Sequence, residues 1–229
     1  MPKSLNIEHL REVAAKTKND GQLAYNKYPR GIRVEIILSA MSPELATAFD
    51  TAFADLDNWR VVRGPFESIQ TFDCMVSAAN SFGLMDGGVD AAITAFYGIQ
   101  LQNRVQQHII AEYLGEQPVG TAFVIGTNHE KHPWLVHAPT MRTPALISGT
   151  DAVYRATWAA LVAIHNHNKE GDRITTVVFP AMGAGCGEVP AKNVAEQMAL
   201  AWRNFHAVPT LINWPYAFQR SRLVDQCIG

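Results

Sequence analysis

Two polar side chains and a glycine-rich loop between them are the first residues of this 229-residue chain that could do chemistry. Asn80 ends an apolar run, and Asp90 follows after Gly83, Gly87 and Gly88. Glycine has no side chain, so such a loop can bring its backbone close to a ligand. Where the loop leads into a helix, free N–H groups and the positive end of the helix dipole form an anion site, usually for phosphate. A tight strand-to-helix turn without a ligand is the alternative for this loop taken alone.

A second glycine loop, GAGCG at residues 183–187, lies between an apolar run and a segment of helical spacing. In open α/β sheets ligands bind at the carboxyl ends of strands, so the two loops could hold both sides of one diphosphate. GAGCG matches neither the dinucleotide Gly-x-Gly-x-x-Gly nor a P-loop. Ala184 and Glu188 also rule out a nucleophile elbow around Cys186, which we expect to be a small loop residue.

Composition and charge limit the classes of protein that the chain can belong to. Hydrophobic residues make up 48% and charged residues 17%, which is typical of globular proteins. A net charge of −2 argues against non-specific nucleic-acid binding. The three cysteines suit a reducing compartment and lack the spacing of a structural zinc site. Because no signal peptide or membrane span is evident, the sequence predicts a cytoplasmic protein without a membrane partner. No metal site and no cofactor are predicted either.

Strands and helices alternate along the chain, which predicts one three-layer α/β/α domain. Strands are predicted at residues 32–40, 59–62, 72–79, 121–127, 134–139, 174–180 and 209–214. Helices are predicted from Pro43 with Ser42 as its cap, over 89–97 and 99–114, after a cap at Thr150, and from Pro190. Residues 1–31 form a predicted N-terminal extension, with a short helix over 6–18 and a loop over 19–31, and residues 32–229 form the domain.

The two loops resemble the signatures of a known family. SAANSFGLMDGGVDAAI at residues 77–93 is similar to the Asn-Ala-Ala-Asn…Gly-Gly-Gly-Val-Asp signature of macro domains, the ADP-ribose-binding modules. VVFPAMGAGCG resembles their second phosphate loop, and WLVHAP lies where they have a Val-Ile-His strand. The resemblance extends over residues 32–214 and is nearest to a divergent branch seen in bacteria and phages. It implies a central mixed sheet.

The resemblance also implies a site for ADP-ribose or an ADP-ribosylated acceptor. Asn80 would fix the distal ribose, and Asp90 would orient the ribose or a water molecule. The other implied ligand contacts are Phe66, Asp86, Gly87, Gly88, Val89, Gly183, Ala184, Gly185, Cys186, Gly187 and Trp214. The alternatives are an Asx turn for Asn80, compensation of the helix dipole for Asp90, and core packing for Trp214.

Two departures from the family pattern bear on the ligand. The family usually has Gly-Asp-Ile after its second strand, and the Asp binds the adenine amino group; here the stretch reads Gly64-Pro65-Phe66. Asp86 in addition places a carboxylate near the expected diphosphate. We therefore expect weaker recognition of adenine, or recognition by another residue.

Three functions remain open from the sequence. The first is a mono-ADP-ribosyl hydrolase that uses a bound water, since no lysine between Lys27 and Lys131 could form an adduct near the first loop. The second is a non-catalytic reader or sequestering binder of ADP-ribose or a related signalling nucleotide. The third is a structural protein that kept the fold and lost the site. The retained spacing of Asn80 and Asp90 favours hydrolysis, with positioning and electrostatics doing most of the catalysis.

Overall fold

A central sheet and a separate strand pair account for the β-structure of the computed structural model, which describes residues 25–27, 34–171 and 173–228. The strands are β1 (Tyr25–Lys27), β2 (Glu35–Ala40), β3 (Trp59–Arg63), β4 (Cys74–Asn80), β5 (Phe123–Gly126), β6 (Trp134–Met141), β7 (Thr176–Pro180) and β8 (Ala207–Pro209). The helices are α1 (Pro43–Ala52), α2 (Gly88–Tyr97), α3 (Ile99–Tyr113), α4 (Ala152–Glu170), α5 (Ala191–His206) and α6 (Trp214–Gln226), with a 3-10 turn at Phe66–Ser68.

The central sheet has the strand order β3-β2-β7-β4-β6-β5. All neighbours are parallel except β5, which runs antiparallel to β6, so the sheet is mixed as expected. β4 and β7 pair only through Cys74 with Val177 and Met75 with Val178. Beyond these two pairs β4 continues along β6, and β7 continues along β2. The sheet therefore separates between β4 and β7 towards their carboxyl ends.

Apolar side chains cover both faces of this sheet, because successive residues of a strand point to opposite faces. In β2, Ile36 and Leu38 belong to the cluster that packs against α1, α4 and α5, whereas Ile37 belongs to the cluster with α2 and α3. This arrangement confirms the three-layer α/β/α fold. In the described part of the chain, no helix combines the length and apolar character needed to cross a membrane.

Helix starts follow the sequence signals with one difference. Ser42 caps α1 as predicted, its Oγ accepting a hydrogen bond from the Leu45 N–H at 3.2 Å. At α4 the cap position is Asp151 rather than Thr150. Thr150 lies one residue earlier, where its Oγ1 accepts from the Ala152 N–H at 3.3 Å.

The predicted strand at 209–214 is wrong. β8 ends at Pro209 and pairs with β1 in an antiparallel two-stranded sheet outside the central one. Asn213 then caps α6, its Oδ1 accepting from the Tyr216 N–H at 2.9 Å. Within the predicted loop at 19–31, residues 25–27 form β1, and the predicted helix at 6–18 lies outside the described residues.

Candidate functional site

A cavity of about 620 Å³ lies where β4 and β7 separate. Its walls come from the loop between β4 and α2, the loop between β7 and α5, and the turn after β3. The sequence-predicted residues that line it are Phe66, Asn80, Asp86, Gly87, Gly88, Val89, Asp90, Gly183, Ala184, Gly185, Cys186 and Gly187. The fold thus brings both glycine loops and the Asn80–Asp90 pair to one place.

Asn80 uses its side chain to shape the loop that follows it. Its Oδ1 accepts hydrogen bonds from the N–H groups of Phe82 at 3.1 Å and Leu84 at 3.3 Å, and its Nδ2 donates to the Leu84 carbonyl at 2.7 Å. This is the local side-chain-to-backbone pattern of an Asx turn. In this structure Asn80 therefore acts as a positioning residue for the loop.

Two helical side chains that sequence reasoning missed complete the support of this loop. Gln102 on α3 accepts from the Met85 N–H at 2.7 Å, and Thr94 on α2 donates to the Met85 carbonyl at 2.8 Å. Gly83 packs so closely on α3 that an added Cβ would lie 2.8 Å from a methyl carbon of Val105. Together these contacts fix the backbone immediately before Asp86.

Beyond Met85, several residues of the cavity lining have backbone N–H groups without an acceptor in the described part of the chain. The amides of residues 86–88 donate to no acceptor within the described part of the chain, and Gly87 is the cap of α2 without a side-chain bond. The amides of residues 185–187 on the facing loop also donate to no acceptor among the described residues. All six residues line the cavity. Two sets of hydrogen-bond donors, one from each loop, are therefore available to an anion.

The glycines of the two loops fall into two classes. The folded chain itself requires Gly88, with φ +55°, Gly183, with φ +77°, and Gly187, where an added Cβ would lie 2.6 Å from the Gly183 carbonyl. Gly87 and Gly185 have neither a left-handed φ nor any atom within 4 Å of an added Cβ. Neither backbone conformation nor packing explains glycine at positions 87 and 185.

Asp90, on the first turn of α2, is only 4% exposed yet lines the cavity. The fully buried Ser77 on β4 donates its hydroxyl to Asp90 Oδ1 at 2.5 Å. Burial raises the pKa of Asp90 to about 6, the charge of Asp86 adds to this, and the Ser77 hydrogen bond opposes it. A carboxylate placed to compensate the helix dipole would have its pKa lowered. The pKa of Asp90 is raised instead, mainly by burial, and carboxyl groups with raised pKa values are frequent at functional sites.

Residues 76–198 match the family model described as Macro domain. The chain belongs to the macro domain family. A relative from Aquifex aeolicus (strain VF5), described as an uncharacterized protein, is 34% identical over 146 residues, which cover 64% of this chain and 81% of the relative. The match to the family model includes both glycine loops.

Solved macrodomain structures share this fold at low sequence identity. A mutant Oceanobacillus iheyensis macrodomain with ADPR superposes with a TM-score of 0.52 at 17% identity, covering 87% of this chain and 97% of that one. The macrodomain of Thermus aquaticus DarG gives a TM-score of 0.52 at 19% identity, covering 65% and 93%. The macrodomain of Mycobacterium tuberculosis DarG gives 0.50 at 16% identity, covering 75% and 93%.

The cavity of this macro domain is acidic. Glu67, Asp86 and Asp90 line it, and the lining contains no Lys, Arg or His in the part of the chain that the structure describes. Sequence reasoning missed Glu67, although it directly follows the Gly64-Pro65-Phe66 stretch that departs from the family pattern. A bound phosphate would therefore depend on backbone N–H groups rather than on basic side chains.

Two further predicted contacts have different surroundings. Phe66 lines the cavity but is 3% exposed, and its ring packs edge-on against Phe96 with centroids 5.4 Å apart. Trp214 is not among the lining residues; it begins α6, is 50% exposed and stacks on Phe218 with centroids 5.6 Å apart. The structure therefore does not bring Trp214 into the site.

Asn80→Ala should lower the free energy of unfolding of the ligand-free macro domain by about 1–3 kcal/mol, because three loop hydrogen bonds are lost. Urea unfolding measures the change. Asn103→Ala, at an exposed position of α3, serves as the control and should shift stability by less than about 0.5 kcal/mol. Unchanged stability of Asn80→Ala would show that the amide does not hold the loop.

Asp90→Asn should stabilise the macro domain above about pH 6. Since the folded protein binds the Asp90 proton more tightly than the unfolded chain, the ionised carboxylate destabilises the fold above its pKa of about 6. Removing this charge should raise the free energy of unfolding by about 1–3 kcal/mol at pH 8, and the gain should disappear as the pH falls below about 4. Urea unfolding between pH 4 and pH 8 tests this.

Glu44→Gln is the matched control, because Glu44 is an exposed carboxylate in the first turn of α1. That variant should lose about 0.3–1 kcal/mol through the helix dipole. If Asp90→Asn lowers the free energy of unfolding by a similar amount at pH 8, Asp90 stabilises the fold through the helix dipole, which contradicts the prediction.

Proposed function

We propose that this macro domain binds ADP-ribose, or the ADP-ribosyl group of a modified acceptor, in the cavity between its two glycine loops. The observation that carries the proposal is the pair of amide sets, residues 86–88 and 185–187, that line one cavity without protein acceptors. Family membership and a neighbour solved with ADPR support the choice of ligand.

The diphosphate would lie between the two loops, with the N-terminus of α2 directed at it. Open space at Gly87 and Gly185 lets the ligand approach the backbone, which accounts for glycine where the fold does not require it. With three carboxyl groups and no basic side chain among the described lining residues, binding would rest on these amides. Glu67 is the carboxylate available to a base on the wall formed by Pro65 and Phe66.

For the activity we propose hydrolysis of an ADP-ribosyl ester. A water molecule attacks the anomeric carbon of the distal ribose, the bond to the acceptor oxygen breaks, and the acceptor leaves as a carboxylate. Asp90 is the group placed to orient the water or the ribose and to accept the released proton, because it is a carboxyl group with a raised pKa at the cavity wall. Asn80 contributes by holding the first loop.

A non-catalytic binder is the second candidate function, favoured by the hydrogen bonds of Asn80. Its side-chain amide is bonded to the backbone of the first loop, whereas the hydrolase interpretation expected it to fix the distal ribose. Such a protein would read or sequester the ligand without breaking its ribosyl bond.

Gly185→Val should reduce affinity for ADP-ribose at least tenfold, because the side chain would enter the space that the diphosphate needs. Its free energy of unfolding should change by less than about 0.5 kcal/mol, since nothing lies within 4 Å of the added Cβ and φ is not left-handed. Calorimetric titration and urea unfolding measure the two effects.

Gly126→Val on β5 is the matched control, as its φ is also not left-handed and its nearest neighbour, in Trp134, lies at 3.9 Å. That variant should bind ADP-ribose like the unaltered protein. Equal affinity of Gly185→Val and Gly126→Val would contradict the proposed site.

Hydrolysis predicts that Asp90→Asn lowers turnover far more than it weakens binding of the product, because Asp90 acts on the transition state. The assay measures release of ADP-ribose from protein modified on acidic residues, with Asn80→Ala for comparison. Tight ADP-ribose binding by the unaltered protein without turnover on any modified acceptor would leave the binder as the function.

A further inference from the structure

Below the cavity, Ser77 and Asp90 form a buried pair that joins the sheet to α2. Ser77 lies on β4, is fully buried and donates to Asp90 Oδ1 at 2.5 Å. A hydroxyl that donates to a carboxylate stabilises its ionised form and fixes its rotamer. The structure thus gives the buried hydroxyl of Ser77 a specific partner.

Two titratable side chains, Asp86 and His137, are near this pair along the chain or in the strand register. Asp86, on the loop before α2, lines the same cavity, and its negative charge favours the protonated form of Asp90. On β6, His137 is opposite Ser77 in the strand register and remains neutral, because burial, with the charge of His108 on α3 in second place, lowers its pKa to about 3.

Other titratable groups lie farther along the elements around α2. The turn after β3 contributes Glu67, which lines the cavity but is not among the groups acting on Asp90. Tyr97 and His129 contact each other at the opposite end of α2, with ring centroids 5.8 Å apart. Asp86 is therefore the charge that opposes Ser77.

We propose that Ser77 is a positioning residue that keeps Asp90 ionised and aimed into the cavity despite its burial, and that Asp86 opposes it, so that the two neighbours adjust the pH range over which the site works. The inference rests on the proposed function for its ligand. It concerns regulation of that site by protons and identifies residues on two different elements as its determinants.

Opposite shifts are expected from the two neighbours. Ser77→Ala removes the hydrogen bond to the carboxylate and should raise the titration midpoint of Asp90 by about 1 pH unit. Asp86→Asn removes a nearby like charge and should lower the midpoint. ADP-ribose affinity should increase a few-fold as the pH falls through the midpoint, because one negative charge leaves a cavity that already repels a diphosphate.

The first measurement needs no ligand: the ¹³C resonance of the Asp90 carboxyl group is followed by NMR from pH 4 to pH 8 in the free protein and its variants. Ser77→Cys keeps nearly the same volume but donates only weakly. If donation matters, its midpoint should move with that of Ser77→Ala; if only packing matters, it should stay with that of the unaltered protein. Glu188→Gln removes a charge from an exposed position next to the second loop and should leave the midpoint unchanged.

The second measurement is the pH dependence of ADP-ribose affinity in the same variants. The proposal is supported if each variant shifts the midpoint in the same direction in the NMR titration and in the affinity profile. An unmoved NMR midpoint in Ser77→Ala overturns it even when ADP-ribose binds. Absence of ADP-ribose binding with shifted NMR midpoints would instead overturn the proposed function and the site regulation built on it, while leaving the Ser77–Asp90 coupling in place.

Discussion

β4 and β7 are neighbours at the centre of the sheet, yet only Cys74–Val177 and Met75–Val178 pair between them. Because both strands are parallel, the loops that follow them leave the sheet at the same edge. Because the strands then separate, space opens between those loops, and the cavity occupies it. The adjacency brings the two amide sets together, and the early end of the pairing leaves room for a ligand between them. The candidate site depends on that geometry.

Several groups of the candidate site destabilise the folded protein, and packing elsewhere in the fold offsets this effect. Asp90 carries a buried charge above about pH 6, and several loop N–H groups remain without a protein acceptor. Two apolar clusters, one on each face of the sheet, offset these costs through burial of large side chains such as Phe49 and Trp202. Residues that destabilise a fold persist where function needs them, and the buried carboxyl group of Asp90 fits this trade-off.

Much of the fold could be predicted because hydrophobic period and helix caps are local signals. The strand prediction at 209–214 is wrong because it follows the apolar residues of the segment. Asn213 followed by Pro215 is the stronger signal, since a cap residue with proline in the first turn starts a helix. The resemblance implies Trp214 as a ligand contact because the family has an aromatic residue after its last strand. In the helical structure it begins α6 and stays outside the cavity.

The sequence was sufficient to predict the loops of the candidate site, but not the roles of the individual side chains around them. Both glycine loops and Asp90 could be found from types and spacing, since glycines and a carboxyl group are visible in the sequence. The Asx turn of Asn80 and the hydrogen bond from Ser77 to Asp90 depend on side-chain geometry across the fold. Glu67 lies in the 3-10 turn after Pro65, an element that the sequence analysis did not predict, and lines the cavity from there.

The central claim is that both loops hold one ligand, and an ¹⁵N NMR titration with ADP-ribose tests it most directly. The account predicts that the amide resonances of residues 86–88 and of 185–187 shift together and saturate at the same ligand concentration. The amide of Gly126, on the distant edge strand β5, should remain in place. Shifts confined to one loop, or to neither while ADP-ribose binds elsewhere, would contradict the account.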